Sequence, residues 1–244
     1  MKILLAPSET KKSGGTSSFL PHTLLFESLL PYRSKLLHGY MNCIQKGDMA
    51  TLSKIFGITK EADILSYKTD IIHELCMKAI ERYTGVAFDY LDYPNLEAKA
   101  QHYIDHNVIL FSNLFGPIRA SDMIPEYKLK QGESILEMKP EKIYREQASS
   151  LLDAYLKEDE ILDLRAGFYD KFYKPSKPYT TLKFIKEGKV VSHWAKAYRG
   201  LVLREAAQEN VTTMASFMKL SINGLKMLEM QTLKNKTEIT YQIG

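Results

Sequence analysis

The segment KILLAPSETKKSGGTSS, residues Lys2–Ser18, decides the fold prediction for this chain. Its apolar run predicts a buried strand over Lys2–Ala6, which Pro7 ends. A polar, glycine-rich loop, Ser8–Ser18, follows directly. Sites in mixed α/β proteins commonly lie beyond the carboxyl end of an interior strand, so this loop is the first candidate for a functional site.

The rest of the chain mixes helical and extended patterns without a regular βαβ rhythm or an internal repeat. Helical patterns cover residues 23–67, 69–82, 95–105, 140–157 and 194–208, with Asn95 as the predicted cap of the third. Extended patterns cover residues 86–88, 108–111, 126–130, 161–164 and 238–243, and residues 180–191 predict a hairpin that turns at Glu187 and Gly188. We therefore predict an α+β fold, a single mixed domain over residues 1–244 with a central irregular sheet and surrounding helices.

The composition is that of an ordinary compact domain. The chain has 244 residues, 45% of them hydrophobic, and 33 Lys and Arg against 29 Asp and Glu give a formal net charge of +4. These values exclude a disordered, collagenous or disulfide-framed chain. No apolar run reaches the roughly 18–20 residues of a membrane-spanning helix, and the first nine residues lack the apolar core of a signal peptide. We expect a cytoplasmic protein with no membrane partner, and we expect Cys43 and Cys76 to be buried free thiols.

Positive charge is concentrated between Arg165 and Arg204. This basic segment holds ten Lys and Arg residues against Asp170 and Glu187, a net charge of +8, which leaves −4 for the rest of the chain. Eight aromatic residues are interleaved with the cations. Such a mixture suits a polyanion, because cations meet phosphates while the rings stack or anchor the segment. A solvated basic face is the alternative interpretation of the same pattern.

The loop after the first strand carries the densest polar cluster. Ser8, Glu9, Thr10 and Lys11 bring two hydroxyls, a carboxylate and an ammonium group together, and the glycines that follow would let bare backbone approach a phosphate. Glu9 and Lys11 are candidates for acid–base chemistry in a closed pocket. An exposed ion pair in a surface loop is the alternative.

A second cluster follows a turn at Gly116 and Pro117. Its members are Arg119, Asp122, Tyr127 and Lys128. The turn between two apolar stretches resembles a helix-hairpin-helix, in which backbone N–H groups point at DNA phosphates. Asn113 stands where that motif prefers its first glycine, and asparagine tolerates a positive φ.

A third cluster comprises His193, Lys196 and Arg199 or Gly200, whose spacing of three or four places them on one face of the basic helix. His102 and His106 also share a helix face, but no third metal ligand has a recognisable spacing, so we expect no metal. The chain contains no G-x-S-x-G elbow, P-loop or dinucleotide fingerprint, and we expect no cofactor.

Five segments occur in an order that resembles the YaaA family of peroxide-stress proteins. LLAPSETKKSGG (Leu4–Gly15) is similar to the opening strand and loop of the family, and RYTGVAFDYLD (Arg82–Asp92) to its Y-x-G-L segment. The most specific resemblance is that of FSNLFGPIRASDMIPEYKLKQG (Phe111–Gly132) to the stretch L-S-G-L-Y-G-x-x-R-P-x-D-x-x-x-x-Y-R-L-x-x-G. DLRAGFYDKFY (Asp163–Tyr173) and AKAYRGLVLR (Ala195–Arg204) resemble the blocks N-L-A-S-x-E-Y-x-K and K-x-A-R-G-x-x-x-R.

The resemblance implies a single α+β domain with a basic cleft. Such a protein binds double-stranded or branched DNA without marked sequence preference and limits damage by hydrogen peroxide in the cytoplasm. The competing hypothesis is an enzyme that acts on a nucleotide or phosphosugar, because a DNA clamp has no evident need for so many polar loop residues. That enzyme would form its pocket from the Ser8–Lys11 loop, Arg119 with Asp122, and Lys196 with Arg199.

Both hypotheses use an overlapping set of residues. The candidate DNA- or phosphate-binding residues are Ser8, Thr10, Lys11, Asn113, Gly116, Arg119, Tyr127, Lys128, Lys171, Lys196 and Arg199. The candidate catalytic residues are Glu9, Lys11 and Asp122. We predict that the three clusters converge on one concave site.

Overall fold

A computed structural model describes the backbone of residues 1–244 and the side chains of all of them except Ser192 and His193, so the predicted place of His193 in the third cluster lies outside what is described. The strands are β1 (Lys2–Leu5), β2 (Met77–Lys78), β3 (Val108–Ser112), β4 (Gly116–Arg119), β5 (Met123–Ile124), β6 (Ile161–Asp163), β7 (Tyr179–Lys186), β8 (Lys189–Val190), β9 (Leu225–Leu233) and β10 (Lys236–Ile243). The helices are α1 (Leu30–Lys46), α2 (Met49–Phe56), α3 (Glu61–Ser66), α4 (Ala79–Arg82), α5 (Val86–Leu91), α6 (Ala98–Asn107), α7 (Pro140–Tyr155), α8 (Ser192–Gln208) and α9 (Met214–Phe217).

A mixed sheet of eight strands forms the centre of the molecule. Along the sheet the order is β4-β3-β1-β6-β7-β10-β9, and β8 pairs with β7. Strands β3, β1, β6, β7 and β10 run parallel, whereas β4, β8 and β9 each pair antiparallel with a neighbour. The prediction of a mixed domain with a central irregular sheet and surrounding helices is confirmed. The parallel centre was not predicted, because the long and irregular connections hide the βαβ rhythm.

The interior strands are apolar runs because neighbouring elements cover them. Ile3 and Leu4 of β1 are fully buried, and all five residues of β3 are buried. Helix α7 packs against β4 and buries Tyr144, Ala148 and Leu152, which recur every four residues along one helix face. These strands and α7 agree with their predictions, as does the β7–β8 hairpin with its turn at Glu187 and Gly188.

Helices α5 and α8 pack together more closely than side chains normally allow. A Cβ atom on Gly200 of α8 would overlap the backbone carbonyl of Ala87 in α5. Glycine at this position therefore lets the two backbones touch, and the contact holds α8 above the residues that follow β1.

The prediction of one amphipathic helix over residues 69–82 is wrong. Only α4 is helical in this stretch, and turns and β2 precede it. The Cys76 backbone N–H donates to the Ser17 carbonyl at 2.7 Å, and β2 pairs with β5. Pairing with distant segments thus satisfies backbone groups that a helix would have used, and it overrides the local periodicity.

Two shorter predictions also fail. Residues 86–88 belong to α5 rather than to a strand, because Gly85, at φ +99°, starts a helix that packs against α8. Asn95 lies in a 3₁₀ turn, Tyr93–Asn95, and α6 begins at Ala98 without a side-chain cap.

The helix-hairpin-helix interpretation of residues 111–124 is wrong as well. The turn joins two antiparallel strands, with Ser112 of β3 paired to Gly116 of β4. Gly116, at φ +70°, is buried, and a Cβ atom there would overlap the Tyr144 ring. Asn113 is buried too and donates to the Leu129 carbonyl. The turn therefore faces the core.

Two further features concern the whole chain. In the part that the structure describes, no helix is both long enough and apolar enough to cross a membrane. Cys43 in α1 and Cys76 before β2 are both buried, unpaired thiols.

We expect Gly116→Ala to lower the free energy of unfolding by about 2–4 kcal/mol, since overpacking costs about 1–3 kcal/mol and alanine at a positive φ adds about 1 kcal/mol. Urea unfolding measures the change. Gly14→Ala is the matched control, because Gly14 also has a positive φ, +84°, but nothing lies within 4 Å of the added Cβ. Equal losses for the two variants would contradict the close packing of Tyr144 on the turn.

Candidate ligand-binding site

The strand order creates a crevice between β1 and β6. In the strand order, the chain that leaves β1 enters the sheet again at β3, toward one edge. The chain that leaves β6 enters it again at β7, toward the opposite edge. Ligands in sheets of this kind bind beyond the carboxyl ends of the strands at such a switch point. A cavity of about 390 Å³ lies there. We call it the strand-end cavity. It is lined by Leu5, Ala6, Pro7, Ser8, Glu9, Thr10, Thr84, Gly85, Val86, Ala87, Phe88, Gln131, Leu164, Ala166, Tyr169, Lys196 and Arg199.

Hydrogen bonds fix the shape of the loop that borders this cavity. The Thr10 hydroxyl donates to the Thr84 carbonyl at 3.0 Å, and the Thr10 backbone N–H donates to the Ser8 hydroxyl oxygen at 3.2 Å. The two hydroxyl oxygens lie 3.1 Å apart. Gly85 faces both of them, and a Cβ atom there would sit 3.2–3.3 Å from each oxygen. The loop thus presents a pair of hydroxyls held in place.

Two cationic residues of α8, Lys196 and Arg199, line the cavity. Lys196 is exposed, while Arg199 is partly buried and burial lowers its pKa, with Asp163 acting in the opposite direction. Within the described part of the chain, the Arg199 guanidinium has neither a salt bridge nor a hydrogen bond to another side chain or carbonyl. A guanidinium that has lost part of its hydration without gaining a carboxylate favours the binding of an anion.

Lys196 and Arg199 also border a second cavity, which we call the basic cavity. It has about 530 Å³ and shares Ala166 with the strand-end cavity. Its further cations are Lys174, Lys183, Arg165 and Lys236. Arg165 is paired with Asp163 through two hydrogen bonds, of 2.7 and 2.8 Å, and Lys236 is paired with Glu238 at 2.9 Å. These last two charges are therefore neutralised within the protein.

Lys11 lies under the Ser8–Thr10 part of the loop. Its ammonium nitrogen donates to the Ser8 carbonyl at 3.3 Å and sits 4.0 Å from the centre of the Tyr127 ring and 5.2 Å from that of Tyr83. Burial, and after it the positive charge of Lys128, lower the pKa of Lys11 to about 7 against the opposing effect of Glu9. The amine is therefore substantially uncharged near neutral pH.

Tyr127 and Lys128 support the loop from beneath. The Tyr127 hydroxyl lies 2.8 Å from the Ser112 hydroxyl and 2.9 Å from the Tyr83 hydroxyl, which makes a buried chain of three. Lys128 donates to the Glu9 carbonyl at 3.2 Å. The Glu9 carboxylate lines the cavity and accepts the Gln131 backbone N–H at 3.1 Å. The loop is thereby tied to the segment that follows β5.

Arg119 and Asp122 do not line the strand-end cavity. Arg119 pairs with Ile109 near the amino end of β3, whereas the cavity lies at the carboxyl ends of the parallel strands. The buried Asp122 carboxylate accepts the backbone N–H groups of Leu25 and Arg119 and the Arg119 guanidinium at 2.8–3.0 Å. This pair ties the chain before α1 to the end of β4. The structure thus brings together the first and third predicted clusters and divides the second: Tyr127 and Lys128 lie under the loop, whereas Arg119 and Asp122 lie away from it.

The remaining candidates lie outside the cavity. Asn113 and Gly116 are part of the buried β3–β4 turn, and Asn113 accepts the Tyr169 hydroxyl at 3.2 Å. Lys171 is exposed, with its nitrogen 4.9 Å from the centre of the Phe168 ring.

The basic segment is partly used inside the protein. Besides Arg165, Lys177 donates to three carbonyls near the end of α7, and Arg204 pairs with Asp92 at 3.4 Å. The exposed lysines are Lys171, Lys174, Lys189 and Lys196. The net charge of the segment therefore overstates the charge that a partner would meet.

Comparison with known proteins places the chain in a family. A family model described as "Peroxide stress protein YaaA" matches residues 1–231. The chain belongs to the YaaA family. An uncharacterised protein of Campylobacter jejuni is 43% identical over 244 residues, 100% of this chain and 99% of its own. A UPF0246 protein of Corynebacterium glutamicum is 31% identical over 216 residues, 85% of each chain, and one of Fusobacterium nucleatum is 24% identical over 241 residues, 92% of each chain.

The segments that resemble the YaaA family surround the crevice. Leu4–Gly15 supplies the end of β1 and the loop, and Ala195–Arg204 supplies Lys196, Arg199 and the glycine that admits α5. Phe111–Gly132 supplies the supporting Tyr127, Lys128 and Gln131.

Several lining residues of this YaaA protein escaped the sequence analysis. None of Thr84, Gly85, Gln131 and Tyr169 was a candidate site residue, although all four line the cavity. The available signal was their position in three of the segments that resemble the family, Arg82–Asp92, Phe111–Gly132 and Asp163–Tyr173. No three His, Cys, Asp or Glu side chains form a potential metal site among the described residues.

We expect the Lys11 amine to titrate near pH 7 in the folded protein, and Lys128→Gln to raise its pKa because a neighbouring positive charge is removed. NMR of lysine labelled at the side-chain carbon and nitrogen measures both values, and Lys11→Arg identifies the signal. A Lys11 signal that titrates at the ordinary value of about 10.5 would contradict the burial of the amine.

The same shift has a consequence for stability. The folded-state pKa of Lys11 lies below the unfolded one, so the group destabilises the fold below about pH 7, and this cost disappears as the pH rises toward about 10.5. Lys11→Met should therefore increase the free energy of unfolding more at pH 6 than at pH 9, as measured by urea unfolding.

Proposed function

We propose that this protein, a member of a peroxide-stress family, acts by binding a phosphorylated small molecule, a nucleotide or a phosphosugar, in the strand-end cavity. The observation that carries the proposal is the partly buried Arg199 guanidinium, which has no salt bridge to any described side chain and lines the cavity together with Lys196, Ser8 and Thr10. The cations would neutralise the phosphate, and the Ser8 hydroxyl would donate to a ligand oxygen. The Thr10 hydroxyl, which already donates to the Thr84 carbonyl, would accept from a sugar hydroxyl.

The size of the cavity favours a small ligand. Ligand pockets have volumes of about 300–1,000 Å³, and the strand-end cavity, at about 390 Å³, falls in this range. The basic cavity beside it would hold a second anionic group, since both cavities share Lys196 and Arg199. A duplex would have to lie across the outside of these cavities.

Glu9 is the acid–base candidate at this site. Its carboxylate lines the cavity, and the Gln131 N–H that it accepts fixes its position. A carboxylate held in this way could accept a proton from a bound hydroxyl or water. Asp122 is set apart from such a role, because both of its oxygens are engaged with Arg119 and Leu25.

We expect Arg199→Ala to weaken binding of nucleoside monophosphates and ribose 5-phosphate by about 10–100-fold, which corresponds to the loss of about 1.5–3 kcal/mol for hydrogen bonds to a charged group. Isothermal calorimetry measures the affinity, and peroxide survival of cells that carry only the variant tests its importance. Lys171→Ala is the control, because it removes an exposed cation outside the cavity. Unchanged affinity in Arg199→Ala would place the ligand elsewhere.

We also propose a second candidate function, the binding of double-stranded or branched DNA by a basic cleft in the cytoplasm. It is favoured by the four exposed lysines, Lys171, Lys174, Lys189 and Lys196, which remain after the internal pairs are subtracted. These charges belong to one segment and have no assigned internal task apart from the contact of Lys171 with Phe168. Contacts to phosphates alone would give such binding little sequence specificity.

Salt dependence tests the DNA-binding candidate. Each phosphate contact contributes about −0.9 to the slope of log affinity against log salt concentration, so Lys171→Ala, Lys174→Ala and Lys189→Ala together should flatten the slope by up to about 2.7. The control is the triple variant Lys54→Ala, Lys60→Ala and Lys142→Ala, which changes exposed lysines outside the basic segment. It removes the same charge and should leave the slope unchanged. Equal slopes for both triple variants would refute a specific role for the basic segment.

A further inference from the structure

A third cavity adjoins the strand-end cavity. Its volume is about 730 Å³, and Thr84 and Phe88 line both cavities. Three carboxylates belong to its lining, those of Glu81 in α4, Asp89 in α5 and Asp92 directly after α5. We call it the acidic cavity. Because two residues are common to both linings, a ligand seated in the strand-end cavity can extend past them into the acidic cavity.

The free charges of the two cavities have opposite signs. Two charged residues of the acidic cavity are already neutralised, namely Asp92 by Arg204 at 3.4 Å and Lys78 by Asp105 at 2.6 Å. Among the described residues, Glu81 and Asp89 form no salt bridge, and the remaining cation of the lining is the exposed Lys12. Two carboxylates against one ammonium group leave the acidic cavity negative, which disfavours a phosphate there. A ligand that spans both cavities therefore needs an anionic end and an end that donates hydrogen bonds.

Aromatic and apolar side chains form much of the remaining lining of the acidic cavity. Phe88 is half-buried, and its ring centre lies 5.7 Å from that of the buried Tyr83, a contact that restricts the ring. Ile80 is buried in the same lining, and Met77 and Met123 are half-buried. A planar ring that stacks on Phe88 would exclude water from these side chains.

The carboxylates restrict which planar ring fits. An ionised carboxylate accepts hydrogen bonds and donates none. Adenine, guanine and cytosine each carry an amino group that donates, whereas uracil has a carbonyl oxygen where cytosine has its amino group. A sugar hydroxyl can also donate, but a sugar has no planar face to stack on the ring. The lining thus matches an amino-bearing nucleobase better than a sugar.

We propose that the ligand is a nucleotide whose base lies in the acidic cavity, stacked on Phe88, with its amino group donating to Glu81 or Asp89. This inference rests on the proposed function, because Arg199 and Lys196 would hold the phosphate in the strand-end cavity. It narrows the ligand class from phosphorylated small molecules to nucleotides of adenine, guanine or cytosine.

Calorimetry with a graded set of ligands tests the proposal. We expect GMP or AMP to bind at least tenfold more tightly than ribose 5-phosphate, which lacks the base, since stacking of a base contributes about 5–150-fold. The same nucleotide should bind more tightly than IMP, a purine nucleotide without an amino group. The proposal is overturned if ribose 5-phosphate, glucosamine 6-phosphate or IMP binds as tightly as both GMP and AMP.

A variant of the aromatic ring tests the stacking. Phe88→Leu keeps an apolar side chain but removes the ring, so it should weaken binding of the preferred nucleotide at least fivefold. Phe168→Leu is the matched control, because Phe168 is also half-buried but belongs to the lining of neither cavity. Equal affinities in the two variants would contradict stacking on Phe88.

A variant of the carboxylates tests the recognition of the amino group. Glu81→Gln combined with Asp89→Asn should reduce the preference over IMP at least threefold, because a neutral amide accepts a weaker hydrogen bond. Neither residue lines the strand-end cavity, so the affinity for ribose 5-phosphate should be retained. Glu61→Gln combined with Glu97→Gln removes two exposed carboxylates elsewhere and should keep the full preference. An undiminished preference in the first double variant would refute the role of these carboxylates.

The ligand set also separates this inference from the proposed function. If ribose 5-phosphate binds in an Arg199-dependent way but no nucleotide binds more tightly than it does, the inference fails and the proposed function stands. If Arg199→Ala leaves the affinity for every ligand unchanged, both fail.

Discussion

The position of β1 between β3 and β6 is the constraint on which the rest of the molecule depends. Leu4 is paired with Ile109 on one side and with Asp163 on the other, so both edges of the strand are occupied. A strand buried in this way must leave the sheet at its carboxyl end, where the connections of its neighbours diverge. The topology of the sheet therefore places the loop that follows β1 at the crevice.

Arg82 fixes the far end of the same loop. Its buried guanidinium donates to the carbonyls of Lys12, Gly14, Leu75 and Ile124. Burial lowers its pKa, but the carbonyls supply hydrogen bonds in place of water, so the charge is satisfied without a carboxylate. A guanidinium suits this task because its planar donors can join several chain segments at once. The loop is thus held by β1 at one end and by Arg82 at the other.

Much of the fold follows from local sequence, but the site follows only in part. Apolar runs ended by Pro7 or by a turn predict β1, β3, β6 and the β7–β8 hairpin, because the signal lies within the segment itself. The helix predicted over residues 69–82 fails because Cys76 pairs with Ser17, almost sixty residues away. Likewise, the spacing of Arg119 and Asp122 in the sequence is compatible with a structural pair and with a catalytic pair. The structural role becomes visible only in the fold, where Asp122 also accepts the Leu25 N–H.

The way in which each cation is satisfied separates the structural charges of this protein from the functional candidates. Three cations form salt bridges with carboxylates: Arg165, Arg204 and Lys78. Lys177 donates to backbone carbonyls. In each case the protein replaces hydrogen bonds to water that the cation loses on burial. An incoming anion would have to compete with those partners. Arg199 and Lys196 have no such partner among the described residues, and they stand where two cavities meet. An anion bound there would add interactions without breaking a salt bridge to a described residue, and this difference is the physical basis of the ligand site that we propose.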